Sequence, residues 1–187
     1  MRIISGRLRG RKLVAPDSKE LRPTSDAARE ALFNILRERV VGCRFLDVCA
    51  GVGTVGLEAL SRGATRATFI ERDAACIAAL KRNIAKCGCE QMAKVIRSDA
   101  LLALKRLVKL GEKFDIIFAD PPYEGRLALK LLQLVSENTG LLADSGLVII
   151  QHSERQHLPV ECGQLKLLKR HRVGENAFSF YTLRKDS

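Results

Sequence analysis

The sequence contains no tryptophan, and phenylalanine and tyrosine together make up only 5% of it. So few rings leave little for an extended stacking platform of the kind that holds single-stranded nucleic acid. No apolar stretch approaches the ~20 residues needed to cross a bilayer, and there is no internal repeat or low-complexity linker. Six cysteines are present (Cys43, Cys49, Cys76, Cys87, Cys89 and Cys162) but none stands in a C-x-x-C pair. Cys87-Gly-Cys89 is a residue too short for a zinc or redox motif, and no matching His/Cys pair lies nearby. The first residues are basic and lack an apolar run, so no secretory segment is read there. The cysteines are therefore expected to be reduced structural thiols in the cytoplasm. His152, His157 and His171 form no recognisable metal or base constellation, and no metal is expected.

Acidic residues are also scarce: 21 Asp and Glu stand against 32 Lys and Arg, for a formal net charge of +11. The excess is clustered. Residues 1–22 hold Arg2, Arg7, Arg9, Arg11, Lys12, Lys19 and Arg22 against Asp17 and Glu20 alone. Near the other end, Lys166, Lys169, Arg170, Arg172, Arg184 and Lys185 face only Glu175 and Asp186. Clustering of one sign suits a polyanion, because each neutralised phosphate releases counterion. A solvated basic surface reads the same from charge alone.

At 187 residues the chain has room for one well-buried domain. Residues 1–22 read as a basic N-terminal hairpin, with strand-like pieces at Arg2–Ser5 and Arg11–Val14, and residues 23–187 as the main domain. A helix is expected from Thr24 or Ser25, either of which can cap it, to about Arg39. After Gly42 apolar runs at Phe45–Cys49, Ala67–Ile70, Lys94–Ile96, Phe114–Ala119 and Leu147–Ile150 read as buried parallel strands. Helical stretches separate them at Val55–Arg62, Asp73–Lys86, Ala100–Lys109 and Arg126–Ser136, with Asp73 as an N-cap and Gly88 as a terminator. This alternation predicts a doubly wound α/β sheet. Leu165–Arg172 and Ala177–Leu183 read instead as a closing hairpin.

The first sheet strand runs into Asp47-Val48-Cys49-Ala50-Gly51-Val52-Gly53-Thr54-Val55-Gly56, where Gly51, Gly53 and Gly56 have the G-x-G-x-x-G spacing of a nucleotide-binding turn. That spacing alone also fits a nicotinamide or flavin enzyme. Asp47 bears on the choice. A carboxylate there sits poorly beside a pyrophosphate but suits the α-ammonium of S-adenosylmethionine; it can equally bond the amides of its own turn. Glu71, at the end of the second strand and beside Arg72, can accept from both ribose hydroxyls of either cofactor. After the third strand come Ser98, Asp99 and Ala100, where Asp99 can accept from an adenine amino group or cap the next helix. Ala50 and Thr54 complete the expected cofactor contacts.

The fourth strand empties into Asp120-Pro121-Pro122-Tyr123. Two prolines fix φ and remove two amide donors, so this corner is stiff and presents mainly acceptors. With the Asp120 carboxylate and the flat face of Tyr123 it matches an exocyclic amino group on a planar base. Such a nitrogen attacks poorly because its lone pair is delocalised. Acceptors at Asp120 and the Pro121 carbonyl would favour the pyramidal form and stabilise the charge that grows during methyl transfer. Asp120 or a water can take the proton, and a base in a duplex must be extruded to reach the site.

At these residues the chain resembles the bacterial small-subunit (16S) rRNA guanine-N2 methyltransferases. The resemblance is carried by Arg9-Gly10-Arg11-Lys12-Leu13, Leu21-Arg22-Pro23-Thr24-Ser25-Asp26, Arg29-Glu30-Ala31-Leu32-Phe33-Asn34, Gly56-Leu57-Glu58-Ala59-Leu60-Ser61-Arg62-Gly63-Ala64 and Asp120-Pro121-Pro122-Tyr123. The last string is shared with DNA adenine methyltransferases, whereas the N-terminal strings are more particular to the rRNA enzymes. Val52 stands where family members often carry serine. The resemblance implies a Rossmann-like, seven-stranded S-adenosylmethionine-dependent methyltransferase fold, its antiparallel strand supplied by the C-terminal hairpin. It implies contact of the N-terminal segment (Arg7, Arg9, Arg11, Lys12 and Arg22) with 16S rRNA on the assembling small subunit. It also places Arg22, Pro23 and Thr24 at the border of the cofactor and base pocket. A monomer is expected, since nothing marks a dimer seam. Methylation of DNA adenine, a nicotinamide-dependent oxidoreductase and an inactive RNA-binding module remain the other readings.

Overall fold

The computed structural model describes residues 1–16, 25–122 and 126–184. Arg22, Pro23, Thr24 and Tyr123 lie outside the described residues. The strands are β1 (Arg44–Val48), β2 (Arg66–Glu71), β3 (Ala93–Arg97), β4 (Phe114–Ala119), β5 (Leu142–Ser153), β6 (Glu161–Cys162), β7 (Leu165–Val173) and β8 (Asn176–Leu183). The helices are α1 (Asp26–Leu36), α2 (Thr54–Ser61), α3 (Ala74–Cys87), α4 (Ala100–Lys109) and α5 (Leu127–Glu137). One sheet runs in the order β3-β2-β1-β4-β5-β8-β7-β6. β1 to β5 are mutually parallel, and β8 is antiparallel to both β5 and β7.

Adjacent residues of the central strands divide between two cores. Phe45, Ile116 and Ile149 pack with α1, α2 and α3, while Leu46, Ile117 and Ile150 pack with α4 and α5. Burial on both faces is why these strands read as continuous apolar runs. The expected caps are present. Ser25 Oγ accepts from the Ala28 amide at 3.2 Å, Asp73 Oδ1 accepts from the Cys76 amide at 2.7 Å, and Gly88 ends α3 at φ 61°.

The structure departs from the sequence reading at β6, at the end of α1 and in the N-terminal segment. An eighth strand, β6, joins the expected seven, because Leu167 N–H bonds Val160 O (2.7 Å) and Tyr181 OH bonds Pro159 O (2.8 Å), drawing that segment onto the sheet edge. α1 stops at Leu36 rather than Arg39, since Arg37 turns to φ 47° and the chain tightens into a 3-10 turn over Arg37–Val40. The N-terminal segment makes one antiparallel bridge, Arg2 to Lys12, instead of two strands. Its Ile4 and Ser5 amides are spent on the Glu58 carboxylate (2.8 and 3.0 Å), which withdraws them from a ladder.

Residues 1–16 are set into the domain. Ile3, Leu8 and Leu13 are buried in the α1–α3 core, each contributing roughly 1.5–3 kcal/mol by burial. Gly6, at φ 80°, lies so close to α2 that a Cβ there would sit 2.0 Å from Ser61 O. Beneath the segment Glu58 and Arg29 are both fully buried. Glu58 accepts from Arg62 Nε (2.8 Å) and stands 3.8 Å from Arg29, whose Nη2 donates to Arg2 O (2.8 Å) and Asp26 Oδ1 (2.6 Å).

Candidate active site

The C-terminal ends of β1, β2 and β4 bring Asp47, Glu71 and Asp120 to one edge of the sheet. Val48 pairs with Ile70 on one side and Ala119 on the other, so the residues that follow these pairs form a common rim. The Asp120 amide donates back to Val48 O at 3.2 Å, which fixes the reaction turn against the glycine turn. Pro121 is buried and Pro122 exposed.

The three glycines serve different ends. Gly51 has φ 54° and nothing within 4 Å of a built Cβ, so its side-chain space is open. Gly53 and Gly56 are held down by packing: a Cβ at Gly53 would meet Leu80 Cδ1 at 2.3 Å, and one at Gly56 would meet Phe69 Cε1 at 2.3 Å. Cys49, which precedes the turn, is forced to φ 61°, a conformation that costs a non-glycine residue roughly 1–3 kcal/mol. Ala50 bonds back to Ile70 O (3.0 Å), Gly53 N–H closes the turn on Ala50 O (2.8 Å), and Thr54, largely buried, begins α2.

Asp47 is 2% exposed and its Oδ2 accepts the Gly56 amide at 2.8 Å. Its bond to its own turn, one of the two uses open from sequence, is thus formed. Burial pushes the Asp47 carboxyl up to about 8, against the pull of the Gly56 N–H, and the nearby charges of Asp120 and Glu71 add to the rise. Burial likewise pushes the Cys49 thiol up to about 12, with Glu71, Asp120 and Asp47 adding to it. These four groups therefore share one electrostatic neighbourhood, and it is acidic.

Glu71 spans the gap between turns. Its Oε2 accepts the Gly51 amide (2.8 Å), and its Oε1 accepts the amides of Arg72 (2.7 Å) and Asp73 (2.9 Å). Ser98 N–H donates to Glu71 O at 3.0 Å. Asp99 is the cap of α4, accepting from Leu101 (2.9 Å) and Leu102 (3.2 Å) through Oδ1, so Ser98 is not needed for that task. Ala100 is buried as the first residue of α4.

The basic N-terminal residues gather elsewhere. The Arg7 guanidinium lies 3.4 Å from Cys89 Sγ and 3.7 Å from Met92 Sδ, and Arg11 Nη1 donates to Lys86 O. These partners lie at the end of α3 and just before β3, which is the edge of the sheet opposite Asp120. Arg9 and Lys12 are exposed.

Sequence reasoning missed Asn83. It is fully buried on α3, where Oδ1 accepts Val14 N–H (2.8 Å) and Nδ2 donates to Val14 O (3.0 Å) and Val52 O (3.1 Å). The available signal was an amide between Leu80 and Ile84 on an apolar helix face. His152 was also unassigned. It is buried just past Ile150, the partner of Ala119, and bonds Ser179 Oγ and Ser153 O at 2.8 Å each. Among the described residues no group of His, Cys, Asp or Glu could hold a metal, all six cysteines are free, and no helix is long and apolar enough to cross a membrane.

Known proteins share this architecture. The SAM-dependent methyltransferase from Agrobacterium tumefaciens superposes with a TM-score of 0.65 at 19% identity, over 87% of this chain and 63% of that one, a likeness of fold alone. The solved structure of yhhF from Escherichia coli superposes with a TM-score of 0.86 at 38% identity, over 98% of this chain and 97% of that one. Ribosomal RNA small subunit methyltransferase D of Escherichia coli (strain K12) is 40% identical over 183 residues, 97% of this chain and 89% of that protein. The family model described as Conserved hypothetical protein 95 matches residues 1–182. With that match and relatives aligned nearly end to end, the chain belongs to this family, in which the small-subunit rRNA methyltransferases are its relatives.

Proposed function

We propose that this protein is an S-adenosylmethionine-dependent enzyme that methylates the exocyclic N2 of a guanine in 16S rRNA on the assembling small subunit. It acts as a cytoplasmic monomer. The observation that carries the reading is the pairing of carboxylates with the glycine turn. A nucleotide pyrophosphate needs free amides at such a turn, whereas the Glu71 and Asp47 carboxyl groups already hold the amides of Gly51 and Gly56. That environment suits a ligand that is cationic at its methionine end and carries no phosphate, and it disfavours a nicotinamide dinucleotide.

S-adenosylmethionine supplies an electrophilic methyl group on a sulfonium. Asp47, with Ala50, Gly51, Gly53 and Thr54, holds its methionine half. Glu71 accepts from the ribose hydroxyls, and Arg72, Ser98, Asp99 and Ala100 line the adenine side, with Thr24 at the border. Asp120 and the Pro121 carbonyl accept hydrogen bonds from the two N–H groups of the target amine, so the nitrogen lone pair is turned toward the methyl group; its growing charge is stabilised as the N–C bond forms and the sulfonium S–C bond breaks, and one amine proton passes to Asp120 or a water. Pro122 stiffens the corner and Tyr123 covers the base. Holding the two reactants in line supplies much of the rest of the acceleration. Arg7, Arg9, Arg11 and Lys12 contact RNA away from the reaction edge, and Arg22 contacts RNA as well.

The test is incubation with methyl-labelled cofactor and separate pools of small ribosomal subunits, free rRNA and DNA, followed by mass spectrometry of the nucleosides. Label in N2-methylguanosine of the small-subunit RNA is expected. Label confined to DNA would overturn the reading.

A further inference from the structure

β7 brings to the reaction edge a set of cations that the chemistry above does not use. Because β8 is antiparallel to β5 and β7 is antiparallel to β8, β7 runs parallel to β4 and ends at the same rim as Asp120. The register makes this specific. Ala119 pairs with Ile150, Ile150 with Ser179, and Ser179 with Arg170, so Arg170 stands in the row of the residue just before Asp120. Three strand spacings of about 4.7–4.9 Å put the two strands about 14 Å apart, within reach of the sugar-phosphate chain beside a splayed-out base.

All five ionisable side chains of β7 are basic: Lys166, Lys169, Arg170, His171 and Arg172. Edge strands are commonly guarded by charge against pairing, and beyond Leu167 no strand among the described residues pairs with the outer side of β7. Guarding works with either sign, however, and a single sign is what a polyanion selects. Lys169, Arg170 and Arg172 are exposed, as is Arg155 in the loop after β5. The acidic groups nearby are Glu154, 3.9 Å from Arg170, and Glu175 in the β7–β8 turn; Arg172 Nε is steadied on Gly174 O at 3.1 Å. Arg7 and Arg11, by contrast, rest on the far edge of the sheet.

We propose that Lys169, Arg170 and Arg172, with Arg155, form a backbone-phosphate anchor that holds the RNA flanking the target base against the reaction edge. The anchor rests on the RNA-methylating reading above. It specifies no base, since phosphate contacts position without reading sequence.

The test is the full-length triple variant Arg155→Gln, Lys169→Gln and Arg172→Gln, assayed on small ribosomal subunits across a salt series. KM is expected to rise with kcat held, and the plot of log affinity against log salt to become shallower by about 0.7–0.9 for each phosphate left without its cation. Cofactor affinity and Tm stay parental, and the charge-keeping triple Arg155→Lys, Lys169→Arg and Arg172→Lys restores KM and slope. If the Gln variant keeps the parental KM and slope while the parent methylates small-subunit RNA, the anchor is wrong and the RNA reading stands. A Gln variant that loses cofactor affinity in step with RNA affinity also overturns the anchor, by showing a structural role. A parent that labels only DNA overturns both.

Discussion

The buried Asp47 carboxyl makes cofactor binding depend on pH in a way that can be calculated. With its pKa pushed up to about 8, most copies of the ligand-free protein carry this group protonated at pH 7. Ionising it there costs about 1.4 kcal/mol, which is one pKa unit or a factor of ten. A cationic ligand that requires the carboxylate should therefore bind about tenfold more tightly for each pH unit gained up to about pH 8, and release close to one proton at pH 7. The ligand's own α-ammonium titrates near about 8 and works in the opposite direction, so the comparison must be with Asp47→Asn, in which that contribution is unchanged. The variant should lose the rise in affinity with pH that Asp47 contributes and, at pH 8, bind about ten- to a hundredfold more weakly, as expected for a lost charged hydrogen bond.

Stability should move the other way. An acid whose folded pKa is raised binds extra proton in the folded state between about pH 4 and 8, so the ligand-free protein loses stability as pH rises through that window. Asp47→Asn escapes this loss, and its Tm advantage over the parent should widen toward pH 8. Calorimetric titration in two buffers of different ionisation enthalpy, from pH 6 to 8, measures affinity and proton release together. A parent whose affinity and proton count are flat over that range, or match the variant, would refute the reasoning.

Asp120→Ala should lower kcat by about 10²–10⁴ while leaving cofactor affinity nearly parental, checked by single-turnover methylation and by titration. Gly56→Ala should destabilise the fold by about 1–3 kcal/mol, because the added Cβ overlaps Phe69; denaturant unfolding reads this directly. Glu58→Gln should cost about 1–3 kcal/mol in the same assay, since it removes one of the two carboxylates beside buried Arg29, leaving Asp26, and weakens the hold on Arg62 and on the Ile4 and Ser5 amides.

The strands were legible because burial on both faces writes itself as unbroken apolar runs, and Phe45, Ile117 and Ile149 fall inside the expected segments. β5 was read short at Leu147–Ile150. Its first part, Leu142–Gly146, includes Asp144, Ser145 and Gly146, which break the apolar run, and only Leu142 of it pairs with β4, at Phe114, before the register shifts to Ile116 and Leu147. The acids of the site were visible through their offsets from the glycines. What each acid bonds was not, because a carboxylate at position 47 or 99 serves a ligand or a backbone amide equally well on paper. Residues 1–16 were the least legible. Their polar spacing looks like a free hairpin, and only the positions of Glu58, Ser61 and Asn83, far away in sequence, convert it into a docked strip.

The Asn83 amide touches Val14 and Val52 at once, so the first strip of chain and the glycine turn share a single fastener. A shortened protein beginning at Ser25 would therefore be no simple relative of the parent stripped of some positive charge. It would bare the core surface that Ile3, Leu8 and Leu13 now cover, leave Glu58 without the Ile4 and Ser5 amides, and leave Asn83 holding Val52 with its two bonds to Val14 unmade. Removal of the N-terminus would thus blur nucleic-acid affinity with the integrity of the turn, and only point changes at the surface can tell the two apart.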